Sequence, residues 1–382
     1  MTSRRTVRNR AAWAVPVVTA GVVVAAALAP SAAAADPHPT LPARSAAQLL
    51  ADLQTSQVQA LSGTVVETFR LGLPSLPGSD KNASLNWQSL VTGTHTAHVW
   101  LDGPQRQRVA VLGELAESDI VHNGQDVWSY SSADHSLSHS LSAPAHTPAV
   151  PEAAPHGKDV ASYTPLGAAQ ALLSAVGPTT QVQVVRTARV AGRPAYTLVV
   201  SPKDARSTVT KVLLAIDATY HVPLRVQVFG AGKAPVFEVA FATISYRRPA
   251  ASVFAFHAPH GSTVVKDGLS GVLGGSSAAG PETSAAPTAP VKKAEPKVIG
   301  TGWTSVLELP AGSSPLAGPG SAQGKGAHAA GDLMSRLTTR LPSGDLLLHT
   351  ALVNAITTPD GRVFVGAVDP VTLERIATGH AG

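Results

Sequence analysis

The 382-residue chain contains no cysteine. In one step this excludes a disulfide framework, a lipidated cysteine and a thiol nucleophile. It also carries no field of one charge. The 29 basic and 24 acidic residues give a formal +5, but Arg4, Arg5, Arg8 and Arg10 stand within the first ten positions, so the rest is close to neutral. No basic tract is left that would suit a nucleic-acid surface, and nucleic acid is not an expected partner. Beyond the N-terminus no hydrophobic run approaches membrane-spanning length, so the mature chain is expected to be soluble or peripheral. The usual catalytic signatures are missing as well. There is no G-x-S-x-G, no S-x-x-K with K-T-G, and no H-E-x-x-H.

The N-terminus is the clearest positive signal. A basic start precedes an apolar run over residues 11–29, and Ala33-Ala34-Ala35 offers an A-x-A cleavage site before Asp36. Residues 1–35 are expected to be a secretory signal peptide, which places the mature protein outside the cytoplasm. With no disulfides available, an ordinary hydrophobic core must hold the fold, and about 230 residues before the first long linker are enough for one.

Ser45-Ala-Ala-Gln48 reads as a capping box, opening a helix through Leu49, Leu50 and Leu53. Strand-like text then runs from Gly63 to Leu71. Residues 72–93 break it with Pro74, Pro77 and Gly78, and inside that break Trp87, Leu90 and Val91 lie at helical spacing. Strands are expected over 94–101, 106–112, 119–121, 126–131 and 136–141, with Asn123-Gly124 as the hairpin turn. Thr164-Pro165 starts a second helix with Leu166, Ala169, Leu172, Leu173 and Val176 on one stripe, and Gly177-Pro178 ends it. Five more strands follow over 181–190, 195–200, 208–217, 222–229 and 236–246. So many closely spaced strands with only two helices predict an α+β fold, one large antiparallel sheet with helices against it.

Residues 267–297 are Gly, Ser, Ala, Pro and Lys, a flexible linker between a unit at 36–266 and a small C-terminal α+β unit at 298–382. In the second unit a strand is expected over 304–309, a helix near 332–341 and a strand over 346–356. Pro359-Asp360-Gly361 turns into a strand over 362–368, and a last helix is capped by Asp369-Pro370.

Fourteen histidines invite a search for metal ligands. His95 and His98 fall on opposite faces of a strand, while His135 with His139, and His257 with His260, gain no third ligand from the sequence. Neither a metal nor a cofactor is expected. The acidic residues form no matched acid–base pair, so the chain is not expected to be an enzyme. Tryptophan is more informative. Trp87 with Leu90 and Val91 could form a flap over an apolar cavity, the kind of site that holds acyl chains.

The stretch His98-Val-Trp-Leu-Asp-Gly-Pro-Gln-Arg-Gln-Arg108, followed by Ile120-Val-His-Asn-Gly-Gln-Asp-Val-Trp-Ser-Tyr130, resembles the LolA lipoprotein-carrier superfamily. The Leu-Asp-Gly-Pro wording is closer to the RseB branch, periplasmic regulators of an anti-sigma factor. Val363-Phe-Val-Gly-Ala-Val-Asp-Pro-Val-Thr-Leu-Glu-Arg-Ile-Ala377 is similar to the end of the small RseB C-terminal domain. The resemblance implies a half-open antiparallel β-barrel with a helical lid and an apolar concavity for lipid tails. LolA proper carries a basic residue just before the turn proline, where this chain has Gly103. The implied function is non-enzymatic: an exported protein holding the acyl chains of a lipid or lipoprotein at the cell envelope. The alternative is an RseB-like envelope-stress sensor that binds a membrane protein through 298–382. The expected ligand-binding residues are Phe69, Trp87, Leu90, Val99, Leu101, Val109, Val111 and Trp128, with Arg106 and Arg108 as polar groups at the rim.

Overall fold

The computed structural model describes residues 39–56, 58–72, 93–113, 116–141, 164–175, 177–264, 296–311 and 337–379. The expected signal segment, the expected flap with Trp87 and Leu90, and almost all of the expected linker lie outside the described residues.

Helix α1 (Ala46–Thr55) begins as the sequence predicts. The Ser45 side chain accepts from the Gln48 N–H, and the Gln48 side chain accepts from the Ser45 N–H, so two otherwise orphaned donors are satisfied. Helix α2 (Pro165–Ala175) starts with proline at its first position, and the Thr164 hydroxyl accepts from the Gly167 N–H at 3.3 Å.

Twelve strands make the large sheet. They are β1 (Ala60–Phe69), β2 (Gly93–Asp102), β3 (Arg106–Leu112), β4 (Glu117–Asn123), β5 (Asp126–Ser131), β6 (Ser136–Leu141), β7 (Thr180–Val190), β8 (Arg193–Pro202), β9 (Lys211–Asp217), β10 (Pro223–Phe229), β11 (Phe237–Ser245) and β12 (Thr263–Val264). Their order is β12-β6-β5-β4-β3-β2-β1-β11-β10-β9-β8-β7. Every pairing is antiparallel except the short parallel contact of β12 with β6. The sheet curls, since β7 comes back into contact with β11 although three strands separate them. Among the described residues its two ends do not pair, so it is a half-open barrel. Most sequential strands are antiparallel neighbours joined by short turns, while α2 lies on the long connection between β6 and β7.

Two turns differ from the sequence reading. Asn123 pairs with Asp126, so the central turn residues are Gly124 and Gln125, and only Gly124 has positive φ. The turn with both central residues at positive φ is Ala191-Gly192, between β7 and β8, at 50° and 74°. Alanine there disguises the signal that Asn-Gly or Gly-Gly would give.

One side of the sheet, called here the inner face, carries Leu61 and Val65 of β1, Val99, Val109, Ile120, and Leu198, Leu214, Leu224 and Val226 farther round. Together with Leu49 of α1 and Ala169 and Leu172 of α2 these form one continuous core. The outer face of β3–β6 is covered too. After β11 the chain crosses it through a short 3-10 turn at Ala251–Phe254, then adds β12 at the edge. Phe254 is fully buried.

The second sheet contains β13 (Lys297–Ile299), β14 (Val306–Leu309), β15 (Thr338–Arg340), β16 (Leu346–Leu348), β17 (Asn354–Thr357) and β18 (Val363–Gly366), in the order β13-β14-β18-β17-β16-β15. Helix α3 (Pro370–Ala377) packs on it through Leu373 and Ala377 against Val306, Ile356, Phe364 and Val368. Asp369 caps α3 by accepting from the Thr372 N–H at 2.9 Å.

Of the helix expected near 332–341, residues 332–336 lie outside the described residues, Leu337 is helical, and Thr338–Arg340 are strand. Thr338 and Thr339 are β-branched and pair with Leu348 and Leu347. The single strand expected over 346–356 is two strands. Asn354 causes the break. Its side-chain oxygen accepts from the Thr350 N–H at 3.2 Å, and its NH2 donates to the Val368 carbonyl at 2.7 Å, fixing a local turn.

The two sheets meet through backbone hydrogen bonds. The Thr208 N–H donates to the Ala367 carbonyl at 3.0 Å, Asp369 N–H to Arg206 at 2.9 Å, and Ala351 N–H to Leu71 at 3.1 Å. Trp303 donates its indole N–H to the Thr180 hydroxyl at 2.8 Å. Gly230 stands where the Ala351 carbonyl comes closest. A Cβ on Gly230 would lie 2.6 Å from that oxygen, so no side chain fits.

Candidate ligand-binding face

Strand register decides which residues share a face, because directly opposed residues point the same way. Val99 opposes Val109, Val109 opposes Ile120, Ile120 opposes Ser129, and Ser129 opposes Ser138. This row runs straight across five strands on the inner face. A neighbouring row joins Val65, Ala97, Val111, Ser118, Ser131 and Ser136. Phe69, two positions beyond Glu67 on β1, belongs to the same face and meets Phe237 with ring centroids 4.8 Å apart.

The structure therefore brings together Phe69, Val99, Leu101, Val109 and Val111 of the expected set. Val99 and Val109 are fully buried in the core, and Leu101 and Phe69 are half-buried. Trp87 and Leu90 lie outside the described residues.

Trp128 stands on the opposite face. It opposes Val121 and His139, in the row that contains Trp100 and Arg108. There it stacks between His139, centroids 3.9 Å apart, and Phe256, 5.3 Å apart. His139 donates its Nε2–H to the Asp126 carboxylate at 2.7 Å.

The two arginines share that outer face. Arg108 grips Asp119 with two hydrogen bonds, at 3.0 and 2.6 Å, and donates a third to the Val253 carbonyl at 3.2 Å. Its guanidinium also lies 5.5 Å from the centre of the Trp100 ring. Arg108 thus pins the covering segment to the sheet. Arg106 pairs with the buried Asp102 at 2.5 Å, and Arg248 reaches the same carboxylate at 3.2 Å. Both sequence-predicted arginines are engaged in ion pairs.

Four inner-face polar residues escaped the sequence reading. Glu67 lies between Val65 and Phe69 on the strand, opposite Val239 and His95. Burial pushes its carboxyl up to about 7 from an ordinary 4.5. Ser129, Ser131 and Ser138 are almost completely buried, at 0%, 1% and 2% exposure, and the hydroxyls of Ser129 and Ser138 have no hydrogen-bond partner. Period-two alternation would have found Glu67, because it shares parity with Val65 and Phe69. The same alternation misleads at β5 and β6, where large residues alternate with serines and the serines look like the solvent face.

Elsewhere, Asp217 is a buried carboxylate with several donors. It accepts from Arg193, from the Tyr246 hydroxyl at 3.1 Å, and from the Thr219 and Tyr220 N–H groups at 2.8 and 2.9 Å. Burial opposes its ionisation, but the hydrogen bonds from Arg193 and the two backbone N–H groups outweigh it and hold the carboxyl below the usual range. In the small unit an open groove of about 650 Å³ is lined by Lys297, Glu308, Asp345, Arg362, Phe364 and Ile376, among others. Among the described residues no three His, Asp or Glu side chains gather as a metal site. No helix among them is long and apolar enough to cross a membrane.

No protein-family profile matches the chain, and neither does any curated protein. Solved structures do show similarity. The MucA/MucB complex of Pseudomonas aeruginosa is 17% identical, with a TM-score of 0.42, over 87% of this chain and 96% of that one. MucB by itself is 15% identical, with a TM-score of 0.41, over 87% of this chain and 96% of that one. A LolA superfamily protein of Nitrosomonas europaea is 11% identical, with a TM-score of 0.20, over 56% of this chain and 99% of that one. MucB and a LolA superfamily protein are thus among the solved structures that this chain is similar to.

Proposed function

We propose that this is an exported, non-enzymatic protein that holds acyl chains against the inner face of its half-open sheet at the cell envelope. The observation that carries the reading is the continuous apolar row Val99, Val109 and Ile120 on one face of a sheet whose two ends do not pair among the described residues. An apolar surface of this kind, with few polar groups set into it, suits a ligand that is mostly hydrocarbon. Export rests on the basic, apolar and A-x-A segments of residues 1–35. Native mass spectrometry of protein purified from its own envelope tests the reading. An acylated species leaving with the protein is the expected result, and ligand-free protein that also fails to take up a pyrene-labelled fatty acid would refute it.

A second reading has its own observation. The groove of the small unit joins an apolar floor, Phe364 and Ile376, to a rim of both charges, Lys297, Arg362, Glu308 and Asp345. A polar-rimmed apolar groove fits a segment of another protein, here the extracytoplasmic part of an envelope membrane protein. Charge reversal at Arg362 should then weaken retention of that partner and leave acyl binding intact. Residues 36–266 and 298–382 are proposed as separate folding units joined by the 267–297 linker. A cooperative thermal transition in the isolated 36–266 fragment is the expected outcome.

A further inference from the structure

Where β9 turns into β10 the fold carries a pocket that acyl binding does not use. It is open, about 430 Å³ in volume, and lies between three parts of the chain: Thr219, Tyr220 and His221 of the turn, Ser56 and Gln59 of the link from α1 to β1, and Tyr246 just after β11. Small-molecule sites span roughly 300–1,000 Å³, so the volume suits one. The walls are firmly held. The Asp217 carboxylate accepts from the Thr219 and Tyr220 N–H groups at 2.8 and 2.9 Å and from the Tyr246 hydroxyl at 3.1 Å. Across the pocket the Ser56 hydroxyl donates to the Tyr220 carbonyl at 3.0 Å.

Tyr220 and Tyr246 stack with ring centroids 3.9 Å apart. Arg193 lies 4.9 and 5.0 Å from the two centres, nearly equidistant, so it stands beside the stack and not on its outer surface. Neither partner caps the outer ring face of Tyr220, and the residue is 40% exposed. The fixed charges nearby are paired: Arg193 with Asp217, and Arg44 with Asp52, whose carboxylate also stands 3.8 Å from His221. What remains is neutral. The Gln59 amide and the hydroxyls of Thr219 and Tyr220 have no hydrogen-bond partner among the described residues. Amides and hydroxyls both donate and accept, which matches the hydroxyl groups of a polyol. An aromatic face is the negative side of the ring quadrupole and attracts polarised C–H bonds. A cation would also seek that face, but Arg193 beside both rings repels it. An anion finds Arg193 already committed to Asp217.

We propose that this pocket binds a neutral hexopyranose unit, with one C–H face of the sugar stacked on Tyr220 and its hydroxyls held by Gln59 and Thr219. A pyranose combines the three properties the pocket selects: an apolar C–H face, a rim of hydroxyls and no charge. The site does not depend on the acyl-binding reading, because it uses none of the inner-face residues. Saturation-transfer NMR on the full mature chain tests it. The probes are the methyl glycosides of glucose, mannose, galactose and N-acetylglucosamine, with methyl glucuronide and glucosamine as the anionic and cationic counterparts. At least one neutral glycoside should bind, with the strongest transfer to the ring protons of a single face. Tyr220→Ala should raise its Kd about tenfold or more, whereas Tyr220→Phe, which keeps the ring face, should change it by less than about threefold. Gln59→Ala should raise it about threefold, the effect of one modest hydrogen bond.

Folded wild type that binds none of the neutral glycosides overturns the proposal. So does a charged counterpart that binds more tightly than every neutral sugar. An unchanged Kd in Tyr220→Ala would place the sugar elsewhere, and equal losses in Tyr220→Ala and Tyr220→Phe would rule out stacking; either result sinks the site. If Tyr220→Ala fails to fold, Gln59→Ala combined with Thr219→Val carries the test, since both residues are exposed. That double variant must weaken sugar binding about tenfold, as expected for two lost hydrogen bonds, and unaltered binding overturns the proposal. Uptake of a pyrene-labelled fatty acid, measured on the same samples, separates this site from the acyl-binding reading. Sugar binding without acyl binding upholds the pocket and refutes only that reading, and the reverse refutes only the pocket.

Discussion

At the far end of β9 the fold buries a carboxylate, Asp217, and surrounds it with donors, whereas on β1 it buries Glu67 and on β5 and β6 it buries Ser129 and Ser138 without partners. The Asp217 cluster is closed on itself. Arg193 donates to the carboxylate and lies 4.9 and 5.0 Å from the Tyr220 and Tyr246 ring centres, and those rings stack at 3.9 Å. Such a network commits the carboxylate to internal donors, and it serves to lock the turn after β9. The Glu67 and serine side of the inner face is the reverse, with polar groups held ready and apolar rows between them. On the proposed reading, stability and binding capacity are divided between the two regions.

The largest effect should come from breaking the closed cluster. Asp217→Ala leaves the Arg193 guanidinium without its partner and frees two backbone N–H groups. Breaking a buried pair of this kind costs about 3–5 kcal/mol. Urea denaturation should show that loss, with acyl-probe affinity unchanged when corrected for the folded fraction. A loss below about 1 kcal/mol would mean that the pair behaves like an ordinary surface ion pair, and the contrast between the regions would weaken.

Next in size is a pH effect at Glu67. Its folded pKa, about 7, lies above the ordinary 4.5. The folded protein therefore retains a proton that the unfolded chain has released. The group is neutral in both states below pH 4.5, where no penalty applies. Stability falls as pH rises from 4.5 to about 7, and above that the charged, buried carboxylate costs on the order of 2–3 kcal/mol. Glu67→Gln should remove this dependence, being most stabilising near pH 8 and nearly neutral near pH 4. Denaturation midpoints at the two pH values measure it, and equal shifts at both would show that Glu67 is solvated.

The sequence made the strands and helices legible because each leaves a local mark. Ser45 with Gln48, Thr164 with Pro165, and Asp369 with Pro370 announce helix starts, and alternating apolar residues announce strands. Which face looks inward was legible only in part. On β2 and β3 Val99, Leu101, Val109 and Val111 were grouped correctly by parity, whereas Trp128 was placed with them although it faces the other way. The physical reason is that residues 251–264 cover the outer face of β3–β6, so both faces are buried there and hydrophobicity no longer marks the inside. A covering segment more than a hundred residues away in the chain leaves no trace near Trp128. Gln107 illustrates the same point. It opposes Leu101 and so shares the inner side, although its side chain turns back to the Pro104 carbonyl at 3.1 Å.

The smallest expected effect concerns that outer cover. Phe256 stacks on Trp128 with ring planes 14° apart, and Arg108 holds the preceding turn through Val253. Phe256→Ala removes one partner of an aromatic pair, worth about 0.5–1.5 kcal/mol beyond simple burial, while Arg108 and β12 still anchor the segment. A modest fall in stability should accompany a red shift in Trp128 emission, isolated by subtracting the spectrum of Trp128→Phe. Acyl-probe affinity should stay the same, because the substitution lies behind the sheet from the Val99–Val109–Ile120 row. Weaker acyl binding with unchanged Trp128 emission would mean that Phe256 and Trp128 line the ligand face after all, and would exchange the two faces of the sheet.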